Sequence, residues 1–179
     1  MVVEQGLVLV SGPSRSGKSR WAETLLKGQA PVTYVATSAR REHDPAWQAR
    51  LRLHRERRPS QWSLIEAESN LPERIASIAP DQHLLIDGLG GFVAWCLELD
   101  EDQWAAPCSQ LLEALTARTR TTVVVIEETG WGVVPPTAIG GLFRDRLGAL
   151  AQALERQSQR SWLVVQGRAL DLHALGVPV

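Results

Sequence analysis

The chain has 179 residues, 44% hydrophobic and 22% charged, with 19 basic side chains against 20 acidic ones and a net charge of −1. That balance excludes a basic surface for nucleic acid spread over the whole molecule, and the length suits one domain, spanning 1–179, that buries roughly 70% of its unfolded surface. Two cysteines, Cys96 and Cys108, make neither a metal-type spacing nor a disulfide framework, and no signal peptide or run of about 18 apolar residues is present, so a soluble cytoplasmic protein with no membrane partner is expected.

The first apolar run, Leu7–Val10, reads as a strand, and a helix is predicted over Lys18–Lys27. Between them lies Gly12-Pro13-Ser14-Arg15-Ser16-Gly17-Lys18-Ser19, in which Gly12, Gly17, Lys18 and Ser19 match G-x-x-x-x-G-K-[ST] in full. Glycines let the backbone curl so that successive N–H groups converge on phosphate oxygens, and the helix N-terminus adds partial positive charge there. Lys18, read as an exposed charge on the loop, is placed to reach the β- and γ-phosphates, and the Ser19 hydroxyl is a natural magnesium ligand. A strand-to-helix turn without a ligand is the competing reading. The flanking strand and helix favour phosphate, as does lysine usage: Lys18 and Lys27 stand against 17 arginines.

A second strand, Val32–Ala36, precedes a helix over Asp44–Arg57. Residues 40–58 carry Arg40, Arg41, Arg50, Arg52, Arg55, Arg57 and Arg58 against Glu42, Asp44 and Glu56, a local excess of four positive charges. Arginines so gathered can hold a polyphosphate in bidentate geometry, although a solvated helix face laced with salt bridges has the same composition. His54 lies within this segment. Helical spacing puts Trp47, Leu51 and His54 on one face, which leaves both packing and catalysis open to it.

Strands at Ser63–Glu66 and His83–Asp87 flank a helix over Leu71–Ile78. Asp87, at the end of a buried strand, has the form of the carboxylate that supports a phosphate-bound magnesium ion. Glu127 and Glu128 end the strand Thr122–Glu127 in the same manner. Asp87-Gly88-Leu89-Gly90 also fits the D-x-x-G of switch GTPases, but the chain has no N/T-K-x-D element to read guanine. Helices over Phe92–Leu99, Gln103–Thr119 and Thr137–Gln159 follow, the last with Ile139, Phe143, Leu147, Leu150 and Leu154 on one stripe. Trp162–Val165 and a short antiparallel edge strand at Ala169–Leu172 complete the series. Strands alternating with crossover helices predict an α/β fold, a P-loop NTPase-like, mostly parallel sheet flanked by helices.

In sum of motifs, the chain resembles the bifunctional adenosylcobinamide kinase / adenosylcobinamide-phosphate guanylyltransferases of cobalamin biosynthesis. The resemblance rests on G-x-x-R-S-G-K-S at Gly12–Ser19, Y-V-A-T-S at Tyr34–Ser38 and A-R-L-x-x-H-x-x-R-R-P at Ala49–Pro59 with Trp62 and Glu66. L-I-D at Leu85–Asp87, E-x-G-x-G-V-V-P at Glu128–Pro135, F-R-D at Phe143–Asp145 and W-L-V-V at Trp162–Val165 extend it over nearly the whole chain. It implies phosphorylation of adenosylcobinamide, then transfer of GMP from GTP through a GMP–histidine intermediate, with His54 as the nucleophile and Lys18 catalytic beside it. It further implies GTP contacts from Gly12, Pro13, Ser14, Arg15, Ser16, Gly17, Lys18 and Ser19, from Ala36, Thr37 and Ser38, from Arg55, Glu56, Arg57 and Arg58, and from Glu66 and Asp87. Magnesium on Ser19 and Asp87, ATP as another donor for the kinase step, a corrinoid substrate and a homo-oligomer, a trimer, follow from the same resemblance.

The chain departs from the family where C-L-T-x-W-V-x-N-L commonly follows the aspartate; here it reads Gly88-Leu89-Gly90-Gly91-Phe92-Val93-Ala94-Trp95-Cys96. Pro45 stands where a glutamate is usual, and Ala151 replaces an asparagine. These changes spare the guanylyl-transfer residues and fall on the cobinamide-handling side, so transfer is expected to be better preserved than phosphorylation. A kinase of another small metabolite, or a nucleotide-dependent regulatory module, would need Lys18 and Asp87 but no nucleophilic histidine.

Overall fold

In the computed structural model the first apolar run forms β1 (Leu7–Gly12) and passes through the glycine-rich loop into α1 (Lys18–Leu25). The chain continues through β2 (Val32–Ala36), α2 (Pro45–Arg57), β3 (Ser63–Glu66), α3 (Leu71–Ala76) and β4 (His83–Asp87). Then come α4 (Leu89–Trp95), α5 (Glu101–Thr116), β5 (Thr122–Glu127), α6 (Ala138–Glu155), β6 (Arg160–Val165), β7 (Arg168–Asp171) and α7 (Leu172–Leu175). The structure describes residues 5–38, 43–133 and 135–179, without the side chains of Trp47 and Arg50. Glu4, Arg40, Arg41, Glu42 and Val134, and the packing of His54 on Trp47, lie outside the described residues.

The strands make one seven-stranded sheet in the order β3-β2-β4-β5-β1-β6-β7. Every pairing is parallel except β6 with β7. Alternation along each strand sends side chains to opposite faces, and helices cover both. Val8, Val10, Leu85, Val123 and Val125 meet Ala22, Leu25 and Leu26 of the α1 region on one face. Leu7, Leu9, Leu84, Ile86, Val124 and Ile126 meet Ile75, Phe92, Leu111, Leu147 and Leu154 on the other.

The element ends differ from the sequence reading where local chemistry intervenes. Helix α5 begins at Glu101 because the Asp100 carboxylate accepts from the Gln103 N–H at 2.8 Å, while the Gln103 side chain accepts from the Asp100 N–H at 3.2 Å, a reciprocal cap. Helix α4 begins at Leu89, three residues early, directly after Gly88. Helix α6 starts after Thr137, whose side chain accepts from the Gly140 N–H, and stops at Glu155, before β6. On α6 the expected stripe is buried from Leu147 onward, but Ile139 is 56% exposed.

Two arginines outside the arginine-rich segment serve the core. Arg118 is buried and donates to the carbonyls of Ile75, Ile78, Ala79 and Gln82, closing the turn after α3. Arg146 donates to the carbonyls of Cys96 and Leu99 at 3.0 and 2.7 Å, behind α4. Buried carbonyls left without a donor are expensive. Arg118→Leu is therefore expected to cost about 2–4 kcal/mol, seen as a fall in Tm of roughly 2–4 °C for each kcal/mol, with the fold retained by circular dichroism.

Candidate nucleotide-binding and transfer site

The C-terminal ends of the parallel strands share one edge of the sheet, where ligands bind in open α/β folds. At that edge β1 delivers the phosphate loop. Gly12 is fixed by close approach of β6, since a Cβ there would lie 2.3 Å from the Val164 carbonyl oxygen. Gly17 caps α1 in the left-handed region at φ 102°. Between them the Ser16 N–H returns to the Pro13 carbonyl at 3.3 Å, and Arg15 also takes a positive φ. Lys18 is 6% exposed, rather than the exposed charge that the sequence suggested, because its ammonium curls back to donate to the Pro13 carbonyl at 3.2 Å.

Asp87, at the end of β4, is the point on which three elements converge. Its Oδ1 accepts from the Ser19 hydroxyl of α1 at 2.9 Å, and its Oδ2 accepts from the Tyr34 hydroxyl of β2 at 2.5 Å. His54 of α2 places Nδ1 3.3 Å from the same Oδ2, with side-chain exposures of 18% and 10%. Burial pushes the Asp87 carboxyl up, but the hydrogen bonds from His54, Tyr34 and Ser19 outweigh it and hold the group below the usual carboxylate range. The Tyr34 hydroxyl is pushed well up, first by burial and then by the Asp87 charge. The Arg58 guanidinium lies 4.5 Å from the Tyr34 ring centroid.

A cleft of about 380 Å³ opens over this centre. Of the sequence-derived candidates, Ser14, Lys18, Ser19, Ala36, Ser38, His54, Arg55, Arg58, Glu66 and Asp87 line it. Gly12, Pro13, Arg15, Ser16 and Gly17 shape the loop beneath. Thr37 is fully buried behind the wall, its hydroxyl donating to the Gly88 carbonyl. Arg57 turns away from the cleft to pair with Glu23 of α1 at 3.2 Å, and Glu56 is exposed. The helical periodicity of α2 explains this split: Leu51, His54 and Arg55 fall on the face toward the cleft, Arg57 falls beside it, and Arg58, just past the helix end, also lines the cleft.

The cleft also holds Tyr34, Leu51, Leu64, Glu127, Glu128 and Thr129, which went unassigned or unresolved at the level of residues. For Tyr34 a signal existed: the chain's one tyrosine sits in a buried strand, where a phenol must find an acceptor. The departures after Asp87 also have a structural sense. Gly91 is demanded by the Thr37 backbone, to which a Cβ would come within 2.4 Å, and Trp95 donates its indole N–H to the Thr37 carbonyl at 3.2 Å. Glycines 88 and 90 leave space for the Glu127 carboxylate, whose Oε2 accepts from the Gly90 N–H at 2.9 Å.

The family model described as cobinamide kinase / cobinamide phosphate guanyltransferase matches residues 8–172. The chain is 34% identical over 176 residues to the bifunctional adenosylcobalamin biosynthesis protein CobU of Escherichia coli K12, covering 90% of this chain and 96% of that one. The CobU protein of Salmonella typhimurium gives the same identity and coverage. A Pseudomonas aeruginosa bifunctional adenosylcobalamin biosynthesis protein, CobP, is 33% identical over 167 residues, covering 92% and 95%. In fold the chain is similar to a solved Pyrococcus horikoshii OT3 protein at a TM-score of 0.52 and 8% identity, over 96% of this chain and 87% of that one. Among the described residues no helix is long and apolar enough to cross a membrane.

The Asp87 geometry sets a pH dependence. A carboxyl held below its unfolded value of about 3.9 stabilises the folded state above that pH, and the contribution is lost as pH falls through the folded value. Urea midpoints should give the wild type an advantage over Asp87→Asn of about 1–3 kcal/mol that is flat near neutrality and shrinks below about pH 4. An advantage that persists undiminished well below pH 4 would contradict the ionised, three-donor description.

Proposed function

The chain belongs to the cobinamide kinase / cobinamide phosphate guanyltransferase family, and from that premise we propose that it phosphorylates adenosylcobinamide with a nucleoside triphosphate and then transfers GMP from GTP onto the new phosphate through His54. The observation that carries this reading is the 3.3 Å approach of His54 Nδ1 to Asp87 in the cleft that also holds Lys18 and Ser19. The buried carboxylate supports this reading because it orients the imidazole and stabilises the positive charge that the ring gains when it bonds phosphorus.

In this reading each group has a task. Facing an ionised carboxylate, Nδ1 carries the proton and donates it to Asp87, which leaves the Nε2 lone pair for phosphorus. Attack of Nε2 on the α-phosphorus of GTP forms the N–P bond as the bond to the bridging oxygen breaks, and pyrophosphate departs. An oxygen of adenosylcobinamide phosphate then attacks the same phosphorus and the N–P bond breaks, giving adenosylcobinamide-GDP. Arg55 and Arg58, which line the cleft, stabilise charge developing on the phosphoryl oxygens, and Lys18 with the loop N–H groups holds the triphosphate tail.

Magnesium fits this site as a shared ion. The Ser19 hydroxyl and the Asp87 carboxylate are hard oxygen donors 2.9 Å apart at the phosphate loop. Magnesium commonly takes one or two protein ligands and completes its shell with phosphate and water. The ion would neutralise phosphate charge. The kinase step uses GTP, with ATP as a second donor. By the family resemblance we also propose a homo-oligomer, a trimer, with the corrinoid, too large for the cleft alone, bound near a subunit boundary; Trp131, Val133 and Ile139 are exposed apolar side chains open to such a contact.

Label from α-labelled GTP should remain on the denatured wild type through an acid-labile, alkali-stable bond. His54→Ala is expected to lose this adduct and GMP transfer while keeping GTP binding and phosphorylation, whereas Lys18→Ala loses both chemistries. If His54→Ala keeps the adduct, or loses both activities together with stability, the nucleophile assignment falls.

A further inference from the structure

Strand order brings one more acidic group to the cleft. β5 is inserted between β1 and β4, so Glu127 stands in register with Gly12 of the phosphate loop while Val125 stands beside Asp87. Its side chain lines the cleft together with Lys18, Asp87 and Gly88. The carboxylate is seated by glycines on two sides: a Cβ at Gly88 would lie 2.9 Å from Oε1 and a Cβ at Gly90 would lie 2.9 Å from Oε2. The Gly90 N–H, at 2.9 Å, fixes the orientation from the start of α4. A flexible acidic side chain is thus confined to one place, between the loop that grips the terminal phosphates and the aspartate that orients the histidine.

Resting on the kinase half of the reading above, we propose that Glu127 is the general base of phosphorylation, taking the proton of the acceptor alcohol as that oxygen attacks the γ-phosphorus. The O–H bond breaks toward the Glu127 carboxylate and the O–P bond forms. The bond from the γ-phosphorus to the β,γ-bridging oxygen breaks, and its electron pair leaves with the nucleoside diphosphate. The carboxylic acid so formed returns its proton to solvent once the product has left. Burial, foremost, raises the Glu127 carboxyl above the ordinary range, which strengthens it as a base.

Guanylyl transfer needs no such group. Its first nucleophile is the lone pair of His54 and its second is a phosphate oxygen that is already ionised, whereas a neutral alcohol must lose a proton. One cleft therefore carries two reactions with different proton demands, and Glu127 serves only one of them.

The test compares the two half-reactions in one protein, with adenosylcobinamide as the alcohol acceptor and preformed adenosylcobinamide phosphate as the acceptor of GMP. Glu127→Gln keeps the shape and an acceptor for the Gly90 N–H. It should lower kcat for phosphorylation about 100-fold or more, the scale of a lost general base, with KM for the nucleotide and the rate of GMP transfer each within a few-fold of wild type. Gly90→Ala keeps the carboxylate but crowds it, and should show the same selective loss with unchanged GMP adduct formation. Equal loss of both reactions in Glu127→Gln, as for a structural or metal-holding carboxylate, overturns the proposal, and so does undiminished phosphorylation. A wild type that transfers GMP but never phosphorylates defeats the kinase reading itself, and is told apart by the wild-type assay alone.

Discussion

The site depends on the Asp87 carboxylate being kept charged in a nearly closed setting. Burial alone would neutralise it. The Ser19 hydroxyl, the Tyr34 hydroxyl and the His54 imidazole, from α1, β2 and α2, supply the donors that reverse this tendency. The same bonds tie the arginine-rich helix to the sheet, and Leu53 on that helix is 57% exposed. Among the described side chains of α2, His54 bonds to Asp87, Arg57 pairs with Glu23 and Leu51 lines the cleft.

A second constraint is the strand order. A parallel sheet brings the ends of β1, β4 and β5 to one edge, and the insertion of β5 sets their spacing. The phosphate loop, Glu127 and Asp87 then follow one another across neighbouring strands. Cross-strand registers of Gly12 with Glu127 and of Ala36 with Asp87 turn residues far apart in the chain into adjacent walls of one cleft. The glycines after Asp87 belong to this arrangement. They admit the Thr37 backbone and the Glu127 carboxylate where a side chain would collide.

The arginines illustrate how composition misleads when read as one quantity. Arg55 and Arg58 face the cleft, Arg57 is bound to Glu23, and Arg118 and Arg146 are buried donors to backbone carbonyls. Charge counting groups the first three and overlooks the last two. Which carbonyls are left without partners emerges only when α3 and α4 have been packed.

The sequence by itself determined what is local. The phosphate loop is contiguous, its glycines and its strand and helix neighbours are legible within 20 or so residues, and the strand and helix series follows from periodicities of 2 and 3.6. The cap of α5 by Asp100 and Gln103 was equally readable in principle, its partners lying three positions apart. Only the tertiary structure decided that β5 lies between β1 and β4, that Tyr34 and His54 share one oxygen of Asp87, and that Glu127 fills the space left by Gly88 and Gly90. The physical reason is that these contacts join residues separated by 33 to 53 positions or more. Their energies arise from burial and from mutual satisfaction of polar groups, which no local pattern encodes.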